Sequence, residues 1–265
     1  MKINEILLES SYHKLPALQT VFEAGWDRQP IKHYSDKEQA EIHRAEELPW
    51  DSKNQKDILG YTGNGASKWN DFLHRHYRGL AKPAAIEKYG KRVSGVDREL
   101  AKNVLKKDYV LYTGLPESPI EAFKLYKQPT NRPLTVHLPA YTSTITRWDI
   151  AAGFATNQAS WDPIDRSGHK VLDPTGKQIK NSQKKNKRIR EFDILRIFVP
   201  AGTTGASVAE LSQNYDEAEV LLPRGLNIVI SPNPHQVEYR GDIFYVWNAK
   251  VVGHTPQPIV FDQKD

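Results

Sequence analysis

Glu217 and Glu219 stand two residues apart at the head of an apolar run, Glu217-Ala-Glu-Val-Leu-Leu-Pro-Arg-Gly225. An extended chain repeats its side-chain direction every two residues, so both carboxylates leave one face of a strand. Two carboxylates on one side can divide a reaction. One stabilises a cation that develops in the transition state, and the other orients or deprotonates an acceptor. Taken alone, the pair also fits a solvated strand end, with Asp216 extending an acidic turn. A second group, Thr142-Ser143-Thr144, sets hydroxyls at a strand end ahead of a segment carrying Ala151, Phe154 and Ala155. Hydroxyls there also serve caps and strand propensity. No base at triad spacing accompanies them, which argues against a serine nucleophile. A third group is Tyr112-Thr113-Gly114-Leu115.

These groups need elements to hold them. Residues 1–55 read as a partly ordered N-terminal extension, punctuated by Pro16, Pro30 and Pro49, with one helix over the charged stretch Asp36–Glu47. From residue 56 to 265 the pattern is that of one domain. Trp69, Phe72, Leu73 and Tyr77 have the spacing of one helix face, with Gly63 and Gly65 ahead of it and Asn64 or Ser67 as a cap. A second helix is predicted through Val96–Leu105. Tyr109–Tyr112 reads as a strand ended by Gly114 and Pro116, and LTVHLPAYTSTIT as two extended pieces around a proline turn. Trp148–Ala155 reads as a short helix. Strands follow at Ile194–Val199, Glu219–Leu222, Asn227–Ser231 and Ile243–Val252, separated by turn residues. Helices gather early and strands late, which predicts an α+β fold.

Composition narrows the chemistry. The 265 residues are 38% hydrophobic and 26% charged, an ordinary globular balance. With no cysteine, thiolate metal sites and a cysteine nucleophile are excluded. The nine histidines show no paired metal spacing, so no metal is expected. No apolar run reaches the roughly 18 residues of a membrane helix, and MKINEILLES lacks the apolar core of a secretory signal, so neither membrane nor export is expected. The net charge of +5 concentrates in a basic insertion at about residues 165–192. Its core, Lys170–Arg190, is a candidate contact for nucleic acid or an acidic partner, although without interleaved aromatics a solvated hairpin is the commoner reading.

Together the three groups resemble the arginine-specific ADP-ribosyltransferases of bacterial toxin and tailed-phage type. Thr142-Ser143-Thr144-Ile145 with Ala151-x-x-Phe154-Ala155 resembles their Ser-Thr-Ser segment and its trailing helix. Glu217-x-Glu219 with Val220-Leu-Leu-Pro-Arg-Gly225 is similar to their Glu-x-Glu segment, and Tyr61-Thr-Gly63 with Asn70 and Leu73 to their opening helix. The resemblance spans roughly residues 57–252. It implies a split β-sandwich of two roughly perpendicular sheets flanked by N-terminal helices, with NAD as co-substrate in the cleft between them.

By the same resemblance Glu219 stabilises the ribose cation, Ser143 positions Glu219 and the nicotinamide ribose, and Glu217 engages an acceptor arginine. Tyr112, Thr113, Gly114, Ser143, Thr144, Arg147 and Phe154 are the implied NAD contacts. Thr203, Thr204, Asn214 and Tyr215 are the implied acceptor contacts, on a loop of about Gly202–Asp216. Position 113 departs from the family, which carries Arg there within Tyr-Arg-Gly; a threonine offers no charge-assisted bond to a phosphate. Tyr77-Arg78-Gly79 has the literal motif but no strand before it. The third motif position, Ile145, is a milder departure. MKINEILLES resembles leaders of tailed-phage virion proteins, and Leu7-Leu8-Glu9 their short processing signal. The implied protein modifies host proteins in the host cytoplasm and travels there in a virion. The alternatives are a non-catalytic virion or binding protein that keeps the fold, an NAD glycohydrolase, and a nucleic-acid-binding module.

Overall fold

The computed structural model describes residues 31–48, 55–115, 133–156, 191–211, 219–232 and 234–260. The chain divides into two compact units, Met1–Ile31 and Lys32–Asp265, and the described residues from Lys32 onward belong to the second.

Helix α1 (Asp36–Glu46) opens on a capping box. The Ser35 hydroxyl accepts the Glu38 amide, and the Glu38 carboxylate accepts the Ser35 amide at 2.7 Å. Such caps contribute about 1 kcal/mol. Its far end is tied down by Glu46, fully buried, whose Oε1 accepts the Tyr109 hydroxyl at 2.6 Å and the Lys106 amide at 2.9 Å. Helix α2 (Gln55–Gly60) continues through a π turn (Tyr61–Gly65) into α3 (Ala66–Tyr77), with the path kinked at Gly63. The glycines expected ahead of a helix therefore lie inside a longer helical path. Trp69, Phe72 and Leu73 are buried as the spacing predicts. Tyr77 is exposed: it sits on the helix's last turn and stacks on His137, ring centres 4.7 Å apart. Helix α4 (Pro83–Leu100) starts well before the predicted Val96, with proline in its first turn where a missing amide costs nothing. Its buried face includes Gly90 and Gly95 as well as Val93, Val96 and Leu100, which blurs the apolar period.

The strands are β1 (Tyr109–Leu115), β2 (Leu134–Leu138), β3 (Thr142–Ile145), β4 (Glu191–Val199), β5 (Ala206–Ser207), β6 (Glu219–Leu222), β7 (Leu226–Ile230), β8 (His235–Tyr239) and β9 (Asp242–His254), with helix α5 (Trp148–Ala155) between β3 and β4. Hydrogen bonds link them in the order β2-β7-β9-β4-β1-β3-β6-β5, with β8 beside β9; β4 and β9 run parallel and the other pairs antiparallel. The ladder narrows to one residue pair, Tyr112 opposite Ile145, between β1 and β3. Val220 and Leu222 of β6 share an apolar cluster with Leu195 and Ile197 of β4 and Ile228 and Ile230 of β7. The sheet therefore folds back across the β1–β3 junction into two layers. A second cluster packs α2, α3 and α4 through Ile58, Trp69, Phe72, Val93 and Val96 against Leu221. The predicted α+β fold with early helices is the one observed.

Arg224 and Gly225, which end the Val220–Gly225 stretch, form a structural clamp. Arg224, 6% exposed, forks onto Asp97 of α4 with Nε and Nη2 at 2.9 and 2.7 Å from Oδ2. Tyr141 donates its hydroxyl to the same carboxylate at 2.6 Å. Gly225 holds φ +79°, and a Cβ there would lie 2.4 Å from the Pro256 backbone. Removing one partner of a largely buried pair leaves a charge without compensation. Arg224→Met is accordingly expected to destabilise the fold by about 3 kcal/mol, and Gly225→Ala by about 1–3 kcal/mol through strain and overlap. Urea unfolding midpoints measure both; an unchanged midpoint for Arg224→Met would refute the clamp.

Candidate functional site

The register decides which side chains share a surface. Directly opposed residues on paired strands point the same way. Asn248, Arg196, Tyr112, Ile145 and Glu219 are successive partners across β9, β4, β1, β3 and β6, so they form one cross-strand row. Ser143 pairs with Leu221, two residues along β6 from Glu219. It is Glu219's diagonal neighbour on the same face, at about 7–8 Å. Ser143 is exposed, whereas Glu219 is only 6% exposed. The β6 backbone is held on both sides: Val208 donates its amide to the Glu219 carbonyl at 3.0 Å, and Ile145 pairs opposite.

The face is built up from the helical layer and from α5. The π turn brings Tyr61, 1% exposed, close enough to Glu219 for charge to be felt. Burial first, and then the Glu219 charge, push the Tyr61 phenol above its ordinary range, while a hydrogen bond with Asn70 pulls the other way. Asn70 donates Nδ2 to the Tyr61 hydroxyl at 3.1 Å, and the Tyr61 ring meets Tyr141 edge-on at 5.1 Å. The phenol thus stays neutral, with Asn70 as its hydrogen-bond partner. Tyr61 and Asn70 were legible only as parts of a helix motif; nothing in their spacing showed that the turn would deliver them to β6.

Helix α5 lies across β1 at Gly114, where a Cβ would come within 2.4 Å of the Ala151 carbonyl oxygen and the Ala155 amide nitrogen. Gly114 follows Tyr112 by two residues and so shares its face, which places α5 on the Glu219 side. Phe154 of α5 leaves 40% of its surface exposed. Arg147, at the N-cap of α5, is bound to Asp149 with Nη2 at 2.6 Å, and that contact holds the Asp149 carboxyl below its usual range.

Other residues with a predicted site role are engaged elsewhere. Thr144 is fully buried and donates its hydroxyl to the Val220 carbonyl at 2.6 Å, within the β3–β6 ladder. Tyr112 is fully buried, with its hydroxyl on the Lys32 carbonyl at 2.8 Å. Thr113 pairs with Leu195, half-buried on the face opposite to Ser143 and Glu219. Thr203 closes a turn, its hydroxyl on the Pro200 carbonyl at 2.7 Å, and Thr204 bridges to Val104. Glu217, Asn214, Tyr215 and the segment Lys170–Arg190 lie outside the described residues. A cation unforeseen from the sequence does lie on the Glu219 face: Arg196, 1% exposed, three strand spacings or about 14 Å along the row, with Nη1 3.2 Å from Asn248 Oδ1.

The chain superposes on Plx2a, an ADP-ribosyltransferase toxin from Paenibacillus larvae, with a TM-score of 0.57 at 17% identity, over 83% of this chain and 98% of that one. It has the ADP-ribosyltransferase fold. C3stau2 from S. aureus, solved with NAD, is similar at a TM-score of 0.55 and 17% identity, over 84% of this chain and 99% of the other. An ADP-ribosyltransferase from Clostridium botulinum gives 0.53 and 15%, over 84% of this chain and 100% of that one. The ADP-ribosyltransferase exoenzyme family model matches residues 178–243, a stretch that takes in β4 to β8 and both Glu217 and Glu219. Among curated proteins nothing matches.

Within this fold the close seating of α5 on β1 yields a direct test. Gly114→Ala is expected to lift α5 from the sheet, costing about 1–3 kcal/mol and changing the environment of Phe154. Thermal unfolding and the Phe154 ring resonances report the two effects; a variant with wild-type stability would show that the contact is dispensable.

Proposed function

We propose that this chain is a mono-ADP-ribosyltransferase that breaks the nicotinamide–ribose bond of NAD and passes ADP-ribose to an arginine side chain of a host protein. The observation that carries the reading is the buried carboxylate of Glu219, beside a neutral tyrosine and diagonal to Ser143 on one sheet face. A charge held out of water acts most strongly on an opposite charge that exists only in the transition state. Cleavage of a glycosidic bond to ribose develops that charge on the sugar. Glu219 accepts the ribose 2′-hydroxyl and stabilises the cation, while Tyr61 and Ser143 keep the carboxylate aimed. Phe154 offers an exposed ring on the same side for a planar leaving group. As the C1′–N bond breaks, its electron pair leaves with nicotinamide. An arginine nitrogen then forms the new bond to C1′, and its proton passes to Glu217.

The residues fit NAD at the ribose and at the planar base. At the diphosphate, Thr113 supplies no cation; Arg196 shares the Glu219 face but is only 1% exposed. The threonine motivates a second reading, a non-catalytic protein on the same fold. Under the main reading the enzyme works in the host cytoplasm after delivery in a virion; the support is the leader MKINEILLES. Recovery of the chain from purified virus particles would test that part.

Labelled NAD and host lysate test the chemistry. Wild type is expected to label protein bands. Glu219→Gln is expected to lose at least about 100-fold in rate, since it removes charge stabilisation made in the transition state, and Tyr61→Phe about 10-fold with an unchanged KM for NAD, through misplacement of the carboxylate. Equal labelling by wild type and Glu219→Gln would reject the mechanism. Absence of calorimetric binding at millimolar NAD would favour the non-catalytic reading. Nicotinamide release without labelled protein would indicate hydrolysis.

A further inference from the structure

A separate concavity of about 300 Å³ opens between α2 and α4, on residues that take no part in the Glu219 face. Its walls are Lys56 and Asp57 from the first turn of α2, and Lys91 and Arg92 from the middle of α4. Three cations thus face one carboxylate. That carboxylate is turned against the α4 backbone: a Cβ on Gly95 would meet Asp57 Oδ2 at 2.1 Å, so only glycine lets Asp57 seat there. Arg92 is positioned too. Its guanidinium carbon lies 5.9 Å from the centre of the Trp69 ring, and Trp69 is a buried core residue.

Two lysines alone would be ordinary solvated charges. A guanidinium held against an indole differs, because less of its rotamer freedom is lost when a ligand arrives. A planar fork flanked by two flexible ammonium groups has the donor geometry of a phosphoryl receptor. A concave site with an excess of one sign of charge also concentrates counter-ions. The volume is at the small end for ligand pockets, and its charged lining selects against an apolar guest. We propose that this pocket binds a phosphoryl group, carried by a small phosphorylated metabolite or by a nucleic-acid backbone. The inference does not rest on the transferase reading.

The test uses the full chain without NAD. Inorganic phosphate is titrated at constant ionic strength, with chloride as the balancing anion, and amide shifts of residues 56–60 and 88–95 are followed by NMR. Saturable binding in the millimolar range is expected. The double variant Lys91→Ala/Arg92→Ala should weaken it at least about 10-fold, Arg92→Lys should weaken it less, and Glu219→Gln should leave it intact. Both α4 positions are exposed, and circular dichroism checks that the variants keep the fold. Shifts that merely follow ionic strength, or equal binding by the double variant, would overturn the proposal. Two further arms separate the sources: a nucleoside monophosphate and a 12-nucleotide single strand, compared per phosphate. Tighter, salt-steep binding of the strand assigns the backbone, and tighter binding of the monophosphate assigns the small ligand. Failure here leaves labelling by NAD untouched, and failure of labelling leaves this site untouched.

Discussion

Seating Glu219 inside a sheet is the constraint around which the rest is arranged. A carboxylate that is only 6% exposed is costly unless neighbours compensate it, and those neighbours must come from outside its own strand. The helical layer contributes Tyr61, whose phenol feels the Glu219 charge, and Asn70 and Tyr141 hold that tyrosine in place. The helices thus do more than cover an apolar face. They fix the one polar group whose position decides what the face can do.

Several motif residues serve this arrangement without touching a substrate. Arg224 and Gly225 tie the β6–β7 turn to α4 and to the segment around Pro256. Since α4 also carries the cluster that packs against Leu221, the clamp and the carboxylate share one strand and one helix. Thr144 bonds to the β6 backbone, and its ladder sets Ser143 diagonal to Glu219. Gly114 exists to let α5 lie flat on β1. A motif that looks like a list of contacts is therefore partly a list of supports. Among the described motif residues, Glu219, Ser143 and Tyr61 belong to the common side, and Phe154 of α5 stays partly exposed.

The same geometry bears on position 113. Strand alternation turns Thr113 to the face away from Glu219, while Arg196 arrives on the Glu219 face from β4. The fold keeps a guanidinium in the row even though β1 does not supply it. The cation is buried under the polar contacts around Tyr112, so what it contributes depends on the cover contributed by the segment near Lys32.

Much of the architecture was legible in the chain because strand periodicity, turn residues and helix faces are local. The cores of β4, β6, β7 and β9, the buried face of α3 and the α+β order all follow from that. The short β5 and the half-exposed β8 were not legible, having too little apolar pattern to stand out. The start of α4 was hidden by buried glycines that carry no hydrophobic signal. Sequence by itself determined which residue types were present and, where the apolar pattern was strong, which local element they occupied. Tertiary structure alone decided that Tyr61 would feel the Glu219 charge across 158 residues of chain, that Thr144 would be a support rather than a contact, and that Lys56, Lys91 and Arg92 would line one concavity. The physical reason is that strand register and helix docking are set by long-range packing, and no window of neighbouring residues contains it.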